Sequence, residues 1–308
     1  MGKWTAADIP DQTGRTIVIT GANSGLGLRS AEALAAKGAR VLLACRNAAK
    51  AARALEGVKA KATGPAPEVR TLDLQSLASV RECAAGLARD LDSLDVLMNN
   101  AGIMAVPKAV TQDGFESQLG TNHLGHFALT GLLLPTLLAA SEPRVVTVSS
   151  NAHSFGRMDF ADLSFERRRY SRWRAYGQSK LANLLFTSEL QRQAVEHQTA
   201  LTAAAAHPGY AATNLTDGPA IGAAVLKPVL AVADKVVGQP DHMGALPQLY
   251  AATMPDVMAD DYWGPDAFRG QRGHPTRVGR TKHAQDTAAA TRLWERSEEL
   301  TGVTYRWP

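Results

Sequence analysis

Short apolar runs rich in β-branched residues alternate along this chain with Ala- and Leu-rich stretches, and no other feature narrows the available folds as far. The runs are Arg15–Thr20 (RTIVIT), Arg40–Cys45 (RVLLAC), Val69–Asp73, Leu94–Asn99 (LDVLMN), Arg144–Ser149 (RVVTVS) and Leu201–Ala206. Each is long enough for a strand, and most are too continuously apolar to leave one face in water. The stretches between them carry helical signals. One runs from about Ser24 to a C-cap at Gly38, a second ends near Lys61, and a third spans Ser76 to Asp90. Phe115 to Ala140 covers one long helix or a broken pair, and Ala175–His197 another helix. Strands separated by helices of this length predict successive βαβ units: an α/β fold with a doubly wound parallel sheet and helices on both faces.

At 308 residues the chain is expected to form one domain, with a core over about 14–210 and a substrate cap and C-terminal segment over about 211–308. Within the latter, Pro208 to Met258 has the Pro/Gly punctuation and apolar pieces of a roof over a pocket. Tyr262 to Lys282 is Gly- and Arg-rich and expected to be irregular, and Gln285 to Leu300 to be helical.

Charge and targeting signals exclude several classes. The 33 basic against 29 acidic side chains give a net +4, too even a balance for a dedicated nucleic-acid binder. The N-terminus MGKWTAADIP has no apolar leader, and Ala6 stands where myristoylation wants Ser or Thr. Phe127 to Ala140 is too short to span a bilayer and contains Pro135; Pro219 to Ala233 is interrupted by Lys227 and Pro228. A soluble, cytoplasmic protein is expected. Cys45 and Cys83 cannot make a disulfide scaffold and fit a reducing compartment, each as a small packing residue.

The first strand runs into Thr20-Gly21-Ala22-Asn23-Ser24-Gly25-Leu26-Gly27 and then a helix. Glycines at such a junction allow a tight turn and bring backbone N–H groups up to a phosphate at the helix N-terminus. The second strand ends in Cys45-Arg46, without the carboxylate that accepts from a ribose 2′-hydroxyl. Arg46 instead offers a planar cationic fork suited to a 2′-phosphate. NADP(H) is therefore the expected cofactor, with NAD(H) as the alternative.

Tyr176 and Lys180 lie at i and i+4, on one face of a helix. A free phenol has a pKa of about 10, so acid/base work at neutral pH asks for a shift of ~3 units, about 4 kcal/mol. A nearby ammonium stabilises the phenolate and acts in that direction.

These residues stand in an ordered set: Thr20–Gly27, Asp73, Asn99-Asn100-Ala101-Gly102, Asn122, Ser149-Ser150, Tyr176 with Lys180, and Pro208-Gly209 followed by Thr213. In that order and over that span the chain resembles the short-chain dehydrogenase/reductase family. ACRN after the second strand, TNHLGHFALT, the long serine-to-tyrosine segment and LWERSEELTG make it most similar to the retinol-dehydrogenase-like branch.

The resemblance implies a Rossmann-type sheet and a set of roles. Tyr176 would exchange a proton with the carbonyl or alcohol oxygen, Ser150 would hold that oxygen, and Lys180 would bind the nicotinamide ribose and depress the tyrosine pKa. Asn122 would anchor a water that joins Lys180 to solvent. Gly21, Asn23, Ser24, Gly25, Leu26 and Gly27 would form the pyrophosphate turn. Asp73 and Leu74 would meet adenine, Asn100, Ala101 and Gly102 the adenosine ribose side, and Pro208, Gly209 and Thr213 the nicotinamide end. Family members pair through the tyrosine helix and the long helix before it, so a homodimer or homotetramer is implied; the C-terminal tail leaves a monomer as the alternative.

Some points stay open. On a strand end only one of Ser149 and Ser150 faces the site, and the family register favours the second. Tyr176 follows Ser150 by 26 residues, a longer gap than the family's usual one, so Ser154 to Arg174 reads as a surface insertion bordering the pocket. Arg167-Arg168-Arg169 within it reads as solvated charge. His123 and His126 have no metal-ligand pattern and read as helix-surface or supporting histidines. No GxSxG elbow exists for hydrolysis. Tyr262, Trp263 and Phe268 either line the substrate mouth or plug the C-terminal segment onto the core. The reading is an NADP(H)-dependent oxidoreductase moving hydride between nicotinamide and a carbonyl or alcohol carbon of an apolar small molecule. The alternative is a non-catalytic NADP(H)-binding sensor or scaffold, which would need the phosphate turn but not the tyrosine–lysine pair.

Overall fold

A computed structural model describes residues 3–210 and 239–308. The six expected strands form, within two residues of their expected ends: β1 Thr16–Thr20, β2 Arg40–Cys45, β3 Glu68–Thr71, β4 Val96–Asn99, β5 Arg144–Val148 and β6 Thr202–Ala206. They pair in parallel in the spatial order 3-2-1-4-5-6. Period-two alternation sends Val18, Leu42, Leu97 and Val145 to one face of the sheet, and Ile17, Ile19, Val41, Leu43, Val96 and Met98 to the other. Both sets are fully buried, which is why these strands carry no polar face.

The helices are α1 Gly25–Ala35, α2 Ala48–Lys59, α3 Leu77–Asp90, a single turn α4 Ser117–Leu119, α5 Gly125–Leu138 and α6 Arg172–Glu196. Between α4 and α5 the backbone makes a π turn, Gly120–Leu124, so the expected long helix is one run with a widened turn at Asn122. Asn47 and Ser76 cap α2 and α3 by accepting from the N–H groups of Lys50 and Ser79.

The C-terminal portion departs from expectation. Tyr262–Ala267 and Arg272–Arg277 are not irregular: they are β7, parallel to β6, and β8, antiparallel to β7, and they extend the sheet to eight strands. Gly264 and Pro265 hide this strand in the sequence. Gly264 is small because a Cβ there would come within 2.0 Å of the His207 ring. Of the segment from Pro208 to Met258, the described residues 239–258 pack against the core: α7 Asp241–Gly244 and α8 Leu246–Thr253 follow, and Leu249, Ala251 and Ala252 of α8 join it on the sheet face shared with α1 and α2. Tyr262 and Trp263 are buried in the core, whereas Phe268 is exposed.

α5 is apolar on nearly every side, so it needs cover away from the sheet as well. That cover comes from α9 Thr287–Thr301 and the segment after it. Phe127 of α5 meets the rings of Trp294 and Tyr305 at 5.1 and 4.9 Å, and the Tyr305 hydroxyl donates to the Phe127 carbonyl at 2.8 Å. Gly131 lets the Tyr305 ring lie against the helix, since a Cβ would stand 2.5 Å from it.

The insertion before α6 is held by its middle arginine, contrary to the expectation of solvated charge. Arg168 lies 3.7 Å over the Phe165 ring, donates to Gln178 of α6 and pairs with Asp162, while Arg167 and Arg169 are exposed.

His123 and His126 are also not at a helix surface; both are buried, as is His207. Burial pushes their pKa values down, to about 3, about 4 and about 3. Folded, these rings stay neutral where an unfolded chain takes up protons at about pH 6.5. Their contribution is thus complete above that pH and is lost as pH falls toward 4, by roughly 4 kcal/mol per pH unit for three histidines. Urea unfolding between pH 7 and 5 is expected to show this decline. A His123→Phe variant is expected to have a shallower slope; an unchanged slope would mean the ring takes no part in it.

Candidate active site

The strand order reverses between β1 and β4, and the carboxyl ends of these two strands open a crevice. A cavity of about 350 Å³ lies there. Its floor is the turn from Gly21 to Gly27. Gly21 and Gly25 have φ of +69° and +52°, and the Gly21 N–H donates to the Ala44 carbonyl at 2.8 Å. Gly27 admits no side chain: a Cβ would stand 2.5 Å from both the Gly21 carbonyl and Asn100 Nδ2. Ser24, the N-cap of α1, makes no side-chain cap bond, and the first turn carries no acidic residue. The helix therefore directs unfilled N–H groups and its positive dipole end at the cavity, as an anion cradle requires.

Around this floor the structure gathers most of the sequence-identified set. Asn23, Ser24, Leu26, Arg46, Asp73, Leu74, Asn100, Ala101, Gly102, Tyr176, Lys180 and Pro208 all line the cavity. Arg46 is largely exposed, with Nη1 3.9 Å from Asp73 Oδ1. The Asn100 side chain is already engaged: it donates to the Thr20 carbonyl at 2.7 Å and accepts from Gln248 at 3.1 Å, so its amide ties the turn to the sheet. Gly209 is not part of the lining. Its φ of +66° and its approach to the Gln271 carbonyl fit it to the β7–β8 hairpin instead. Thr213 lies outside the described residues.

Lys50 also lines the cavity and escaped the sequence reading. It stands in the first turn of α2, just past the Asn47 cap that follows Arg46, and its basic charge so close to the end of β2 was the signal that could have found it.

At the inner end, Tyr176 and Lys180 rise from α6 one turn apart, both buried. Lys180 Nζ donates to the Val148 carbonyl at 3.0 Å and sits 5.8 Å from the centre of the tyrosine ring. The two serines diverge. Ser149 lines the cavity but its Oγ is spent on the Lys180 carbonyl at 2.8 Å, while Ser150, outside the lining, accepts the Ala152 N–H at 3.2 Å and lies close enough to the Tyr176 phenol to lower its pKa. Asn122 is buried in the π turn. Its amide donates to the Ile103 carbonyl at 3.0 Å and to Ser179 Oγ at 2.9 Å, and its oxygen accepts from the Ile103 N–H at 2.8 Å. It thereby stitches α5 to α6 and to the loop after β4.

Burial pushes the Tyr176 phenol up to about 12, only partly offset by the Ser150 bond, and pushes the Lys180 ammonium down to about 8. Desolvation sets the direction of the tyrosine shift, so Tyr176 holds its proton at neutral pH. Cys45 and Cys83 are free, buried and raised to about 11 by desolvation, which leaves them unreactive. Among the described residues no cluster of His, Cys, Asp or Glu is fit to hold a metal ion.

The residues present fit a dinucleotide: an uncapped helix end over a glycine floor for the pyrophosphate, and two cations at the far end of the cavity. Comparison with known proteins agrees. Residues 15–219 match the family model for short chain dehydrogenases. Human retinol dehydrogenase 13 is 37% identical over 297 residues, covering 94% of this chain and 85% of that protein. Human retinol dehydrogenase 14 is 39% identical over 306 residues, with 94% and 87% covered. A crystal structure of a protein from Mycobacterium paratuberculosis superposes with a TM-score of 0.83 at 49% identity, over 99% of this chain and all of the other. The chain belongs to the short-chain dehydrogenase/reductase family, in its retinol-dehydrogenase-like branch, and is an NAD(P)-dependent oxidoreductase acting on alcohols.

Proposed function

We propose that this enzyme uses NADP(H) to interconvert a carbonyl and an alcohol on an apolar small molecule, with Ser150, Tyr176, Lys180 and Asn122 as its working residues. The observation that carries this reading is the convergence of Tyr176 and Lys180 at the inner end of a cavity floored by an uncapped helix, with the Ser150 hydroxyl beside the Tyr176 phenol. The cofactor, when bound, supplies or accepts the hydride. Tyr176, protonated at neutral pH, donates its proton to the carbonyl oxygen in reduction and takes it back in oxidation. Ser150 holds that oxygen beside the phenol. Lys180 meets the nicotinamide ribose, and Asn122 supports the path by which its proton is replenished. Pro208 attends the nicotinamide end; Asp73, Leu74 and the Asn100–Gly102 loop attend the adenosine.

Preference for NADP(H) rests on Arg46 and Lys50. Among the described residues neither has an acidic partner closer than the 3.9 Å contact of Arg46 with Asp73, so both can meet a 2′-phosphate. Titration of the protein's fluorescence with NADPH and with NADH tests this directly. Tight NADPH and weak NADH are expected; equal affinity would sink the specificity claim. Arg46→Ala is expected to raise KM for NADPH ~10-fold or more with little change for NADH, as loss of a charge-assisted bidentate contact implies, and Lys50→Ala to do so to a smaller degree.

Among the described residues no helix is long and apolar enough to cross a membrane. With both cysteines free, we extend the proposal to the cytoplasm. The outer face of α5 is covered by this chain's own α9 and the residues after it, which favours a monomer over pairing through that face.

A further inference from the structure

His126 is buried in α5, just beyond the π turn, and nothing in the chemistry above uses it. Its ring joins two segments that are far apart in sequence. Nε2 lies 2.8 Å from Thr20 Oγ1, at the end of β1, and Nδ1 lies 3.1 Å from the carbonyl oxygen of Asn122. Thr20 Oγ1 also accepts the backbone N–H groups of Asn100 at 3.0 Å and Ala101 at 2.9 Å. Those two donors fill the lone pairs of the hydroxyl, so its own proton must go elsewhere. Two acceptors lie in reach, His126 Nε2 at 2.8 Å and the Met98 carbonyl at 3.3 Å, and the imidazole is the closer. Nε2 is therefore the accepting nitrogen, and Nδ1 carries the proton that it donates to Asn122.

The bonds thus run in one direction: from the Asn100 and Ala101 N–H groups to Thr20, from Thr20 to His126, and from His126 to the Asn122 carbonyl. We propose that His126 is a positioning residue that locks the Asn122 carbonyl and the Asn100–Gly102 loop into one register, so that the cofactor loop and the proton path to Lys180 are set together. This rests on the preceding reading, in which Asn122 serves Lys180. A ring without nitrogens at position 126 leaves the Thr20 proton only its longer partner and leaves the Asn122 carbonyl one donor short.

Three variants test it: His126→Phe, His126→Gln, and Thr20→Val, which breaks the same lock from its other end. The measurements are NADPH affinity by fluorescence, thermal midpoint, and kcat in H2O and in D2O with any carbonyl compound that the wild type reduces. His126→Phe and Thr20→Val are expected to bind NADPH several-fold more weakly and to lose ~10-fold in kcat, part of what a positioned proton donor contributes. Their solvent isotope effect is expected to rise above the wild-type value, because proton delivery becomes slower relative to hydride transfer. His126→Gln, whose amide supplies both a donor and an acceptor, is expected to recover much of the loss. A merely structural histidine would lower the thermal midpoint and leave the solvent isotope effect where it was; that result overturns the proposal. A wild type with no NADPH-dependent turnover would instead overturn the functional reading, and this role along with it.

Discussion

Tyr176→Phe is expected to lower kcat by about three orders of magnitude, the scale of a lost general acid, while NADPH affinity stays within twofold. The substitution removes one oxygen. The ring keeps its place in α6, against Trp173 at 6.3 Å, and the backbone that shapes the cavity does not change. What disappears is the hydroxyl that holds the transferable proton beside Ser150. Turnover near the wild-type rate in this variant would show that another group delivers the proton. The folded protein is expected to lose little, about 1 kcal/mol for one hydrogen bond.

The second large effect moves activity and stability in opposite directions. Lys180 is buried, and its ammonium is pushed from 10.5 down to about 8. That depression corresponds to a net cost of about 3 kcal/mol of folding free energy at pH 7. Lys180→Met is therefore expected to stabilise the protein without cofactor by up to about 3 kcal/mol at pH 7 while reducing kcat at least a hundredfold. The sign of the pH dependence follows from proton counting. Between about 8 and 10.5 the unfolded chain binds the proton that the folded lysine has released, so the wild type gains stability as pH rises. The advantage of the variant is greatest below pH 8 and vanishes by about 10.5. Urea midpoints of both proteins at pH 7, 9 and 10.5 measure it; a methionine variant less stable at pH 7 would show that the ammonium is better solvated than its burial indicates.

Both effects concern residues that stand out in the sequence, and the reason is local. Tyr176 and Lys180 are one helical turn apart, and the glycine turn is one contiguous stretch, so spacing alone sets their geometry. β1, β2, β4, β5 and β6 were legible for a similar reason, since a run such as RVLLAC has no polar face to offer water. β7 and β8 were not. YWGPDA contains two residues that weaken strands, and it becomes one because β6 offers an open edge and His207 demands a glycine opposite. The spacing of Tyr176 and Lys180 likewise says that an ammonium is near the phenol, but not that both groups are dry, and it is the dryness that sets the direction of the tyrosine shift. Thr20, His126 and Gln248 meet the site through partners from 78 to 218 positions away, a relation no local pattern encodes.

The cover over α5 bears on how the protein behaves at low concentration. A helix apolar on both sides must be sheltered twice, and a second molecule is one way to provide the outer shelter. Here Trp294 and Tyr305 provide it from within the chain. Dilution cannot bare the Phe127 side of α5, because its covering residues are tethered to it. The π turn that carries Asn122 opens into this same helix, so the shelter behind that asparagine comes from the chain itself.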